Sequence, residues 1–128
     1  MARSLDGREL GSPQILPPID AYGDGGFRIS GTRYEGHQII TQDGAQHWLL
    51  SGETLCVDDF QGLLVAEPRP DSVILGVGER LKHPPAQIRQ AFRASKIGLE
   101  VLDTATACRT YNLLAGEGRR VYAALIAI

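Results

Sequence analysis

Between residues 72 and 128 three short apolar runs, SVILGVG, LEVL and VYAALIAI, alternate with two segments of helical periodicity. This alternation restricts the fold more than any other feature of the chain. Strands that run parallel need a crossover between them, and a helix supplies it. The run SVILGVG is apolar and β-branched, as a strand buried on both faces must be. Pro84-Pro85 then opens a helix, with Pro85 suited to its first turn. On that helix Ile88, Ala91, Phe92 and Ser95 share a face, while Arg89, Arg93 and Lys96 point elsewhere. Gly98 is the expected C-terminal stop, and LEVL follows as the next strand. Asp103 or Thr104 caps a further helix that carries Ala107, Tyr111 and Leu114 on one side and ends at Gly116 and Gly118. The first crossover is expected to be right-handed, with SVILGV parallel to LEVL.

The N-terminal half has a different period. Residues 1–18 are polar and marked by Pro13, Pro17 and Pro18, and are expected to form an extended arm ahead of one domain, 19–128. From 19 to 50 the pattern alternates: Phe27 and Ile29 against Arg28 and Ser30, then HQIIT, the turn pair Asp43-Gly44, and AQHWLL. This third predicts antiparallel strands. Asp58 or Asp59 is expected to cap a short helix running to about Ala66, stopped by Pro68 and Pro70. The fold class that results is an α/β sandwich with an antiparallel β extension and about three helices.

Composition sets the boundaries for function. A formal net charge of −2 gives no basic stripe with which to displace counterions from nucleic acid. The longest apolar run, VYAALIAI, is too short to span a bilayer, and MARSLDGREL lacks the apolar centre of a signal peptide. Cys56 and Cys108 share no metal-ligand spacing, so reduced thiols and a cytoplasmic location, or one at the inner face of a membrane, are expected. His37, His47 and His83 form no helical pair and sit beside no carboxylate pair, so no metal or other cofactor is expected.

Two glycine clusters raise the question of a phosphate site. AYGDGGFRISGTRYEG (21–36) leads into a strand pattern without the Lys-Ser/Thr pair of a phosphate loop, so its glycines are read as a bend into a hairpin. Gly76-Val77-Gly78 is the better candidate, because it follows a strand and precedes a helix. Leu81 stands where a dinucleotide fingerprint needs its third glycine, and a tight strand-to-helix turn is the simpler expectation. If a small anion or nucleotide binds here, Gly76, Gly78, Arg80, Lys82 and His83 face it, helped by Arg109 and Asn112, which are three apart and share a helix face. Cys108 near a helix start is a nucleophile only if exposed; a small buried residue is the plainer expectation. No catalytic residues converge.

The strings YGDGGFRISG (22–31), ILGVG (74–78) and above all DTATACRTYNLLAGEGR (103–119) resemble the family catalogued as domain of unknown function 498, over roughly Ile19 to Ile126. The resemblance implies a three-layer α/β arrangement around a mixed sheet, no established catalytic residues and no required cofactor. For the family's mitochondrial branch it implies an assembly factor for respiratory complex I, bound to a partner assembly protein at the inner membrane. Without an arginine- and serine-rich presequence, the chain is similar to bacterial members. The expected function is therefore a non-enzymatic module that binds protein partners as a monomer or weak homodimer. Tyr22, Asp24, Arg28 and Tyr34 are its candidate contacts, and the Gly76–His83 turn is the alternative, small-ligand site.

Overall fold

The computed structural model describes residues 16–128. The expected arm therefore lies outside the described residues, except for Leu16–Pro18. The first three strands, β1 (Ile19–Gly23), β2 (Gly26–Ile29) and β3 (Thr32–Glu35), form an antiparallel sheet in that order. Each of its two-residue turns needs both residues in the left-handed region. Asp24 and Gly25 have φ of 54° and 79°, and Ser30 and Gly31 have 49° and 82°. Such turns match the twist of the strands they join, so the glycine-rich stretch is indeed a pair of hairpins.

A second, five-stranded sheet has the order β5-β4-β8-β6-β7, with β4 (Gln38–Thr41), β5 (Gly44–His47), β6 (Ser72–Gly76), β7 (Gly98–Leu102) and β8 (Val121–Leu125). β8, β6 and β7 run parallel, and β4 runs antiparallel to both β5 and β8. The sheet is therefore mixed. The β4–β5 turn differs from expectation: its loop residues are Gln42 and Asp43, and Gly44 opens β5 at φ 115°. The positive φ stays on the glycine, and the two-residue loop sits one residue earlier than an Asp-Gly turn would place it.

Three helices cover this sheet: α1 (Gln61–Leu64), α2 (Ala86–Ala94) and α3 (Thr104–Gly116). A 3₁₀ turn, Val57–Phe60, leads into α1. Asp58 and Asp59 lie inside that turn instead of capping it. Cys56 holds the cap position, and Asp59 reaches back to accept from the Cys56 N–H at 2.9 Å. α2 ends differently from the expected glycine stop. Lys96 takes the left-handed φ of 60°, and Gly98 is already the first residue of β7. Gly98 is small for another reason, since a Cβ there would meet the Ser72 side chain at 3.1 Å. α3 begins as expected, with the Asp103 carboxylate accepting from Thr106 N–H at 3.1 Å.

Alternation along the strands divides the core. Ile74, Gly76, Ala123, Leu125 and Ile40 share one face through the strand registers. α3 packs there, so closely that a Cβ on Gly76 would lie 3.0 Å from Thr104 Cα. The three-stranded sheet shares this side, since Asn112 Oδ1 on α3 accepts from Ile19 N–H of β1 at 2.9 Å. Val73, Leu75, Leu99 and Val101 face the other way, toward α2 and α1. On that side Trp48, Phe60 and Phe92 meet edge to face, with ring centroids 5.4 and 5.5 Å apart. Each such fully buried side chain contributes about 1.5–3 kcal/mol. The result is three layers around a mixed sheet.

Candidate functional site

Where β6 and β8 end, the chain leaves the sheet and a cleft of about 520 Å³ opens. Val77 and Ile126, one residue past each strand, floor it; each still donates a backbone hydrogen bond at 2.9 Å, to Leu102 and Gly76 respectively. Leu50 and Leu55 from the segment after β5 form one wall, and Pro84 and Pro85 ahead of α2 form another. The polar lining is His37, Glu53, Thr54, Lys82 and His83.

The rim after β5 is shaped from below. The Asp59 carboxylate accepts from Ser51 N–H at 3.0 Å as well as from Cys56 N–H, and Trp48 Nε1–H donates to the Asp59 carbonyl at 2.8 Å. Burial works against ionisation of Asp59, but these amide donors outweigh it and hold its pKa below the ordinary value. The floor is fixed by Thr104, whose Oγ1 accepts from Gly78 N–H at 2.9 Å and donates to the Ile126 carbonyl at 2.7 Å.

His37 joins the cleft from the start of β4. Its Nδ1 accepts from Ala127 N–H at 2.9 Å, which requires a lone pair on that nitrogen. Burial, and then the neighbouring His47, lower its pKa. Both observations give a neutral imidazole with the proton on Nε2, a donor that does not add charge.

The structure brings Lys82 and His83 to this cleft, and separates them from the rest of the expected ligand set. Gly76 and Gly78 are buried beneath it. The Gly78 amide is committed to Thr104, and α2 starts only at Ala86, so the glycine turn does not open directly into a helix N-terminus. Arg80 is exposed and outside the lining. Arg109 is exposed on α3, with Nη2 3.3 Å from Thr106 Oγ1, and Asn112 binds the backbone of Ile19. Both belong to the opposite face of the sheet. His37 and the 50–55 segment carried no sequence signal, because only the placement of β4 beside β8 brings them here.

The candidate protein contacts lie on the three-stranded sheet. Arg28 is exposed on its outer face, opposite Arg33, and Asp24 is exposed in the first turn. Tyr22 is 40% exposed, whereas Tyr34 is half-buried against the core. Arg33 pairs with Glu35 at 2.9 Å and donates to the Asp24 carbonyl, so this face is pinned by its own side chains. Cys108 is buried, and burial pushes its thiol up to about 12, so it is no nucleophile at neutral pH. Among the described residues no three His, Cys, Asp or Glu side chains group to hold a metal ion, and no helix is long and apolar enough to cross a membrane.

These features define a mixed-sheet α/β domain with a ligand-sized cleft at its parallel strand ends and an antiparallel sheet laid on its other face. The chain belongs to the family described as protein of unknown function DUF498/DUF598, which matches residues 19–126. It is 38% identical over 109 residues to human NADH dehydrogenase (ubiquinone) 1 alpha subcomplex assembly factor 3, covering 84% of this chain but 59% of that protein. It is 37% identical over 119 residues to an uncharacterised protein of Rhodobacter capsulatus, covering 93% of this chain and 90% of that one. The fold matches the crystal structure of a Bartonella henselae protein described as an outer membrane protein, with a TM-score of 0.81 and 29% identity over 91% of this chain and 98% of that one.

Proposed function

We propose that this chain is a non-catalytic binding module that engages a protein partner during assembly of a membrane-bound respiratory complex. The observation that carries the proposal is the 38% identity to an assembly factor of NADH dehydrogenase. That stretch of 109 residues is 84% of this chain, so what the two proteins share is nearly all of the domain described above. The Cys108 environment adds support, since burial keeps the thiol placed near the start of α3 protonated.

The contact surface proposed wraps the three-stranded sheet at its first turn, with Arg28 on the outer face, Asp24 in the turn and Tyr22, exposed at the edge of the face that Phe27 shares, as anchors. Tyr34 packs inward and supports them. Aromatic and arginine side chains dominate such contacts when a partner desolvates them, each with about 2 kcal/mol or more.

The test is co-purification with the tagged full chain from its native host. Subunits or assembly proteins of a membrane respiratory complex are expected among the recovered proteins. A Tyr22→Ala/Arg28→Glu double variant is expected to recover them at least about tenfold less well while melting at an unchanged temperature. Recovery of no such protein, or undiminished recovery by the stable double variant, overturns the proposal.

A further inference from the structure

We propose that the cleft at the ends of β6 and β8 binds a small amphipathic acid, a carboxylate or phosphate monoester on an apolar body. None of the proposed protein contacts belongs to the lining of this cleft, and the inference stands without them.

Position is the first argument. Open α/β sheets bind ligands outside the carboxyl ends of their parallel strands, where successive crossovers leave toward opposite faces. Here the connection from β6 to β7 carries α2 on one face, and that from β7 back to β8 carries α3 on the other. The cleft stands at the carboxyl ends of the parallel neighbours β6 and β8, beside the point where the first of these crossovers leaves β6. Its volume of about 520 Å³ falls in the ordinary range of small-molecule sites.

Lining chemistry then selects the ligand. Val77, Ile126, Leu50 and Leu55 give an apolar floor and wall, which calls for a hydrocarbon body. Lys82 and His83 stand together on the proline wall, and the neutral His37 supplies a further N–H donor. Behind Pro85 the first turn of α2 contains no acidic residue and no side-chain cap, so nothing there opposes an anion. Glu53 lies in the lining as well, on the segment after β5. Its carboxylate repels an acidic head from that wall and so orients it toward Lys82 and His83.

The test is an amide-resolved NMR titration of the full chain with octanoate, octyl phosphate, octanol, octylamine and inorganic phosphate. Octanoate or octyl phosphate is expected to saturate, with shifts centred on Leu55, Val77, His83 and Ile126. Octanol and inorganic phosphate should each bind at least about tenfold more weakly, because each lacks half of the recognised chemistry. Lys82→Gln with His83→Gln, both at exposed positions, should weaken octanoate by about tenfold or more. Leu55→Trp, which fills the cleft, should abolish binding. Absence of saturation by both acids, equal binding of octylamine, shifts centred elsewhere, or indifference to the Lys82/His83 pair overturns the proposal. A parallel titration with phosphatidylglycerol vesicles separates the sources of the acid: binding to vesicles alone, with neither free acid bound, also overturns it.

Discussion

Asn112 holds the backbone of Ile19 with both ends of its side-chain amide: Oδ1 accepts from Ile19 N–H at 2.9 Å, and Nδ2 donates to the Ile19 carbonyl at 2.8 Å. In effect α3 offers β1 the pair of bonds that a neighbouring strand would. The two residues are 93 apart in sequence, so this contact ties the first strand to the last helix. Asn112→Ala should destabilise the fold by about 2 kcal/mol, roughly one for each bond. Asn112→Asp keeps the acceptor, loses the donor and should fall between. Urea midpoints at unchanged m-value measure this, and the Ile19 amide should exchange with solvent faster in both variants.

Thr104 makes a second long-range lock, between the start of α3, the Gly78 amide and the Ile126 carbonyl. Thr104→Val preserves shape and leaves a buried donor and an acceptor without partners. A loss of about 2–4 kcal/mol is expected, against about 1 kcal/mol for Thr104→Ser, which keeps the hydroxyl. A valine variant as stable as the serine one would show that packing, and not these bonds, fixes the turn.

These two locks mark what the sequence could and could not disclose. Local signals were legible: the Asp103 cap, the proline start of α2 and the strands SVILG and LEVL all follow from residues close together in the chain. Gly76-Val77-Gly78 was legible as a tight turn, but its reason was not. Gly76 makes room for Thr104, about a fifth of the chain away, while Gly78 takes the left-handed φ of 114° with its amide committed to that same residue. Gly98 misled in the same way, since a small residue needed against Ser72 resembles a helix stop. The cleft was half legible. Lys82 and His83 follow a readable strand, whereas His37 and Leu55 arrive through a strand order that no local pattern encodes. Arg109 and Asn112 share a helix face as their spacing says, but that helix packs on the far side of the sheet.

Acid should weaken the fold through Asp59. Its folded pKa lies below the unfolded carboxylate value of about 3.9, because amide donation outweighs burial. Its contribution is therefore complete above the unfolded value and disappears as pH falls through the folded one. Asp59→Asn should cost about 2 kcal/mol at neutral pH, and the difference from the parent chain should shrink to near zero in strong acid. Chemical denaturation at a series of pH values tests the sign, and a gap that widens on acidification would refute the assignment.

Neutral pH should also separate the two cysteines. Cys56 is exposed, with Sγ 3.3 Å from Ser51 Oγ, whereas Cys108 is buried on α3 with its thiol pushed up to about 12. Burial dominates there, and the Arg109 charge offsets only part of it. Thiolate is the reactive form, so a rise from the usual 9.0 leaves Cys108 roughly a thousandfold less reactive before access is counted. Iodoacetamide under native conditions should label the peptide holding Cys56 and spare the one holding Cys108. Labelling of Cys108 should follow global unfolding, rising with denaturant in step with the loss of helical signal. Comparable labelling of both peptides in the native protein would mean that α3 detaches from the sheet on its own, and it would restore Cys108 as a candidate nucleophile.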